Sequence, residues 1–211
     1  MNLVDILPAI AKITANPVIH DLRSITYLAT YPSILALGTA GVPIALDRLH
    51  QVAAMAYGWM PRVVRIDPLH TANALVALNA LSALRVAAAN PMTPRPVGVA
   101  DVAACLHSLV GASKVLHFVN DSVFPIWDSR IETYRLRLRL DRTPPHNHMN
   151  NIANYWSYFD DVHAIRLDPA FTNFFAQFTV ALNIRLAALR IAPYTISDVR
   201  AIEAAAFELA P

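Results

Sequence analysis

LVGASKVLHFVNDSVFPIWDSRIE, running from Leu109 to Glu132, leads from an apolar helical run through a proline-bearing stretch to a carboxylate. Val99–Val110 has helical patterning, Gly111-Ala112-Ser113 reads as a short turn, and Lys114–Val119 resumes the helical period. Two helices joined by about three residues that include a glycine make a helical hairpin. Asn120–Trp127 is expected to be extended or irregular, because Pro125 bars a helix through it. Ser129-x-x-Glu132 is a capping-box pattern, so a helix is expected to start at Asp128 or Ser129. Residues Tyr134 to Leu140 alternate with period two, as a half-buried strand would. No second strand exists to pair with them, and the reading stays helical.

Outward from this segment the patterning is helical throughout. Helices are expected over Leu3–Asn16, over Pro17–Ala29 with Pro17 in a first-turn position, and over Ile44–Tyr57 after a break at Gly38, Gly41 and Pro43. Leu75, Leu78, Leu81 and Leu84 mark a helix over Leu69–Ala89 that ends at Asn90-Pro91, and Pro91, Pro94 and Pro96 form a stiff linker. Asp141–Asn151 is a polar loop. Helices follow over Ile152–His163, Ala170–Arg190 and Ile196–Leu209. The expected class is all-α, a single all-helical domain over 1–211. It comprises an N-terminal helical lobe to about residue 92, the hairpin and its following segment over about 97–140, and C-terminal helices over 151–211.

Bulk properties bound the function. The 211 residues are 55% hydrophobic and only 15% charged, enough to bury a core and too apolar for general disorder. Mean hydropathy is +0.38, yet charges or prolines break every apolar run short of the ~20 residues a membrane span needs. The first residues lack the basic and apolar regions of a signal peptide, so no membrane partner is expected and the cytoplasm is the default location. One cysteine, Cys105, excludes a disulfide framework. Net charge is +2, and of the 17 basic residues only Lys12 and Lys114 are lysine, one of them inside the most unusual segment.

Helix, glycine-containing hairpin (Leu109-Val110-Gly111-Ala112-Ser113-Lys114), second helix, then an apolar stretch (Pro125-Ile126-Trp127-Asp128-Ser129-Arg130-Ile131) ending in an aspartate at a helix start: this order resembles the helix-hairpin-helix DNA glycosylase superfamily. Leu116-His117-Phe118 is similar to the region after the hairpin in some 8-oxoguanine glycosylases. The resemblance covers about thirty residues. The chain departs from the family pattern in keeping only Gly111 of the usual Pro-Gly-x-Gly, and in the fourteen-residue interval from Lys114 to Asp128, shorter than is typical.

The resemblance implies a two-lobe helical fold and excision of a damaged or modified base, in repair or in defence against modified phage DNA. Asp128 would be the catalytic carboxylate, and Lys114, or Ser113 if the register moves by one, would stand at the lyase lysine. The partner would be double-stranded DNA with a flipped base, acted on by a monomer. No cofactor is implied, although family hairpins can hold a monovalent cation through backbone carbonyls. The rival reading is an inert helical module that binds DNA or protein.

The residues carry this chemistry on physical grounds too. Cleaving an N-glycosidic bond develops positive charge on the sugar, which a nearby carboxylate stabilises; Asp128 could equally cap the helix that follows it. Lys114 could form a Schiff base with C1′, bind a phosphate, or be a solvated first-turn lysine. Backbone N–H groups of Gly111, Ala112 and Ser113 could hold a phosphate at a helix N-terminus, or belong to an ordinary turn. Phe118, Phe124 and Trp127 are candidate stacking residues for an extruded base, with Trp59 and Tyr57 from the first half, and His117 could meet the base edge. Arg130, with Arg135, Arg137 and Arg139, could track a phosphate backbone. His146 and His148 could hold a metal with Asp160 or His163, but two histidines in a loop do not require one, and no metal is expected.

Overall fold

Capping residues and prolines set the helix limits. The computed structural model describes residues 1–60, 63–85, 95–140, 145 and 147–210, and among these every regular element is helical. Leu3–Ile6 (α1) opens with a reciprocal capping box between Asn2 and Asp5. The expected single helix through Asn16 is divided, because Pro8 starts a new one, Pro8–Ala15 (α2). Pro17 does not open the next helix. Asp21 does, accepting N–H bonds from Arg23 and Ser24, and Leu22–Thr39 (α3) then runs through Pro32 and Gly38 to the break at Gly41. Leu46–Tyr57 (α4) and Thr71–Ser82 (α5) follow. The expected extension of α5 to Ala89 falls partly on 86–90, outside the described residues. Beyond Ser82, the Asn120 amide takes the freed carbonyls of Leu81, Ser82 and Leu84 at 3.0, 3.4 and 3.0 Å.

Two helices joined by a short turn occupy the region of the expected hairpin, but the turn lies elsewhere than expected. Gly98–Cys105 (α6) and Leu109–Val119 (α7) meet at 120°. The turn is Leu106-His107-Ser108, with His107 in the left-handed region at φ 45°. Ser108 caps α7 by accepting the Gly111 N–H at 3.0 Å. Gly111, Ala112 and Ser113 are therefore buried inside the first turns of α7. Gly111 serves packing: a Cβ there would lie 2.5 Å from the Tyr57 hydroxyl, which is itself tied to the Leu106 carbonyl at 3.0 Å.

Residues 120–128 leave α7 and run without helix through the core, and side chains replace the missing ladder. His117 Nδ1 donates to the Phe124 carbonyl at 2.8 Å, and its Nε2 accepts from the Tyr31 hydroxyl at 3.0 Å. Ser113 Oγ accepts the Trp127 N–H at 3.0 Å, and Glu203 accepts the Ile126 N–H at 3.3 Å. Ser129–Leu140 (α8) is helical despite its period-two alternation. Its cap is Asp128, whose Oδ1 accepts from Arg130 N–H at 2.7 Å. The Ser129/Glu132 box does not form, because Glu132 turns inward to Arg135, His148 and the Trp127 indole.

A 3₁₀ turn at His148–Asn150 precedes Ile152–Arg166 (α9), Phe171–Ala188 (α10) and Asp198–Leu209 (α11). The helices gather in two sets that do not follow chain order. One contains α3 to α7; in the other, α1 and α2 pack on α10 and α11 together with α8 and α9. A continuous apolar core joins the sets through α7 and the 120–128 segment. Among the described residues no single helix is long and apolar enough to cross a membrane.

Helix α3 crosses α7 closely at Gly38, where a Cβ would stand 2.0 Å from the Phe118 carbonyl oxygen. Backbone cannot yield as a side-chain tip can, so Gly38→Ala is expected to cost about 3 kcal/mol. Thermal unfolding followed by circular dichroism checks this, and an unchanged midpoint would contradict the crossing.

Candidate active site

Between the two helix sets lies a cavity of about 380 Å³, within the size range of small-molecule sites. Its apolar lining includes Ile13 of α2, Tyr27 and Leu28 of α3, Trp59, Ile126, Phe178 of α10 and Phe207 of α11. Its polar lining is dense: Lys114 from α7, Asp128 and Arg130 from the start of α8, and Arg200 and Glu203 from α11. The sequence reading therefore placed Lys114 and Asp128 fourteen residues apart, and the fold brings both to one cavity.

Lys114 sits one turn into α7, which the Ser108 cap starts early enough to turn this residue toward the cavity rather than toward solvent. It is 3% exposed. Its ammonium stands 5.9 Å from the Trp59 ring centroid, a cation–π contact. Burial lowers its pKa below the usual lysine range, opposed first by the charge of Asp128 and then by that of Glu203. Burial thus favours the deprotonated amine, the form in which a lysine is a nucleophile.

Asp128 is only partly buried. Its Oδ1 is fixed by the first N–H groups of α8, at 2.7 Å from Arg130 and 3.4 Å from Ile131. The capping role and the cavity-facing role thus coincide in one side chain. Arg130 is exposed at the cavity's edge, its guanidinium 4.3 Å over the Phe207 ring and bonded to the Ala210 carbonyl at 3.3 Å.

The remaining expectations are placed differently. Phe118, Phe124, Trp127 and His117 are all fully buried and do not line the cavity. They are core: burial in this apolar setting pushes the His117 pKa down to about 3, so it is a neutral structural histidine. The aromatic wall is made instead by Trp59, which the sequence had offered only as one of several, and by Tyr27, which it had not. Tyr27 and Trp59 stand with ring centroids 5.0 Å apart, and the Tyr27 hydroxyl donates to the Trp59 carbonyl at 2.7 Å. Tyr57 faces a different surface depression, beside Arg65 and His107.

Backbone N–H groups of Gly111 to Ser113 cannot hold a phosphate, because they are spent inside a buried helical turn. Ser113 has its hydroxyl engaged by Trp127 and the Val110 carbonyl, so the cavity is presented with Lys114 and not with Ser113. Arg135 is buried and paired with Glu132 at 2.7 Å and Asp161 at 3.1 Å, which removes it from any phosphate-facing row. Arg137 is exposed, and the side chain of Arg139 and residue His146 lie outside the described residues. His148 bonds Glu132 at 2.5 Å, and His163 bonds the Val123 carbonyl at 2.8 Å. Among the described residues no cluster of His, Cys, Asp or Glu is spaced to hold a metal.

Arg200 and Glu203 went unrecognised in the sequence. Their i, i+3 spacing on α11 puts both on the cavity face, and they form an ion pair. Arg200 stacks 4.6 Å over Tyr31. Burial raises the Glu203 pKa to about 7, with Arg200 and the Ile126 N–H acting against the rise. The available signal was an Arg and a Glu one turn apart in an otherwise alanine-rich helix.

No protein-family model, curated protein or solved structure matches the chain.

An ammonium buried at Lys114 opposes folding while it is charged. The unfolded chain then holds its proton more tightly than the folded one, so stability rises with pH toward the ordinary lysine value. Lys114→Met, similar in shape and uncharged, is expected to raise stability at pH 7 by about 1 kcal/mol. That advantage should shrink as the pH approaches 10. Paired thermal melts across this range test it, and a Met variant less stable than wild type at pH 7 would refute it.

Proposed function

We propose that the chain is a DNA glycosylase that cleaves the N-glycosidic bond of a damaged or modified base swung out of duplex DNA. The observation that carries the reading is the convergence of Lys114 and Asp128 on one cavity: a buried amine with lowered basicity beside a carboxylate whose orientation a helix start fixes. Two helices joined by a short turn, a cavity between two helix sets and an aspartate at a helix start support the reading alongside the local sequence resemblance.

The chemistry follows from charge. As the bond between C1′ and the base lengthens, the sugar gains oxocarbenium character, and Asp128 offers a fixed negative charge that needs no reorganisation as the positive charge grows. Once deprotonated, the Lys114 amine can attack C1′ and give a covalent intermediate, which would add strand-cleaving lyase chemistry to base release. Trp59 and Tyr27 supply the aromatic faces that hold an unstacked base. Arg130, exposed at the rim, is the residue placed to meet a phosphate and fix the strand without reading sequence.

Duplex oligonucleotides carrying oxidised, alkylated, deaminated or hydroxymethylated bases provide the test. Wild-type protein should convert one or more of them to abasic sites, and Asp128→Asn should slow release at least ~100-fold. Borohydride should trap a covalent adduct with wild type and none with Lys114→Gln. A panel that yields no abasic sites would sink the proposal, and salt-sensitive duplex binding indifferent to Asp128→Asn would point to an inert DNA-binding module instead.

A further inference from the structure

Two carboxylates, not one, face Lys114, and their settings differ. Asp128 is partly exposed and held by backbone N–H groups. Glu203 is 2% exposed and comes from the far end of the chain on α11. Its Oε2 accepts the Ile126 N–H at 3.3 Å, so it is tied to the same strand of chain that delivers Asp128 two residues later. We propose that Glu203 is the proton donor of this cavity, giving a proton to the departing base as Lys114 attacks the sugar. The proposal rests on the glycosylase reading and assigns its second catalytic carboxyl group.

Leaving-group chemistry asks for such a donor. Lys114 Nζ forms a bond to C1′ while the bond from C1′ to the base nitrogen breaks, and that bond's electron pair departs on the base. The carboxyl proton of Glu203 neutralises the base, leaving a carboxylate beside the newly formed C1′-bound ammonium. Atoms and charge balance without any outside oxidant or reductant. Burial shifts Lys114 and Glu203 toward their neutral forms, and the ion pair with Arg200 holds Glu203 back from going further. A proton donor works best when its pKa lies near the working pH, and that of Glu203 stands at about 7.

Glu203 Oε1 is paired with Arg200, and the titratable groups packed against Glu203 set its surroundings. Arg200 on its own helix and Lys114 on α7 favour its carboxylate, and Asp128 opposes it. His117 on α7, 3.8 Å away, is held neutral by burial with its pKa near 3. Tyr31 of α3, Tyr155 and Tyr158 of α9, all deeply buried, have their hydroxyl pKa values pushed up by that burial.

The test separates base departure from sugar capture. On a lesion duplex from the panel that wild type processes, single-turnover release by Glu203→Gln should fall at least ~100-fold. On a duplex with a preformed abasic site no base has to leave, so borohydride trapping through Lys114 should stay within about threefold of wild type. Wild-type release should also decline above about pH 7, and the residual activity of Glu203→Gln should lack that decline. Arg200→Gln gives an independent readout that keeps the carboxyl group. Removing the guanidinium should move the decline to higher pH, whereas a purely structural role would lower the rate evenly at all pH values.

Release by Glu203→Gln within threefold of wild type, with the decline retained, would overturn the proposal. Parallel loss of release and trapping would also overturn it, assigning Glu203 to the support of Lys114. Wild-type protein that neither releases nor traps would instead overturn the glycosylase reading beneath it.

Discussion

Everything at the cavity depends on how residues 120–128 are held. Residues 123–127 of this stretch are apolar and buried without being helical, so their backbone N–H and C=O groups have no regular partners, and each one left bare would cost roughly 1–3 kcal/mol. Polar side chains from α7, α9 and α11 take the place of a sheet ladder, among them Ser113 at Trp127, His117 at Phe124, His163 at Val123 and Glu203 at Ile126. Their bonds fix the direction in which the chain enters α8 and therefore where the Asp128 carboxylate stands. Remove this stitching and the segment has no reason to keep its path over α7.

Two clusters of buried charge in the molecule behave differently. Glu132, Arg135, Asp161 and His148 form a closed network in which every charged group meets partners of opposite sign, and hydrogen bonds to Arg135 and others hold the Glu132 carboxyl below its usual range. Such a network orients α8 against α9 and faces no open space. Around the cavity the accounts do not close. The Lys114 amine is buried against an aromatic face, and Glu203 is pushed toward neutrality despite Arg200. Folding tolerates this second cluster at a cost in stability, and such perturbed groups gathered in a cavity are what single it out as a candidate site.

How much of this was legible in the sequence varies with the physics involved. The helical class was, because leucine and alanine recur at helical spacing over most of the chain. The helix start at Asp128 was as well, because proline and a short acidic residue leave few alternatives. The position of the hairpin turn was not. Gly111 looks like a turn residue, but its missing side chain admits Tyr57, while the turn itself is made by His107 in a left-handed conformation and by the Ser108 cap. Phe118, Phe124 and Trp127 looked like stacking residues because they lie near the aspartate in sequence, yet the residues around this buried segment belong to the core. Tyr27, Arg200 and Glu203 come from distant helices, and no local spacing links them to Lys114.

The packing of α2 on α10 and α11 carries one last consequence. Lys12 meets the Glu208 backbone across 196 positions of sequence, and Arg185 reaches the Asn16 carbonyl at 2.9 Å. Contacts of such separation are slow to form, since a long loop must be closed before they repay its entropy. During synthesis the helices α3 to α7 can assemble while the rest is still being made. Lys114 is then already placed, but the opposite wall is missing. The Lys114 amine stays exposed to water, as that of an ordinary solvated lysine does. Only when α11 docks is the wall opposite Lys114 in place, so the last stage of folding is also the step that completes the cavity.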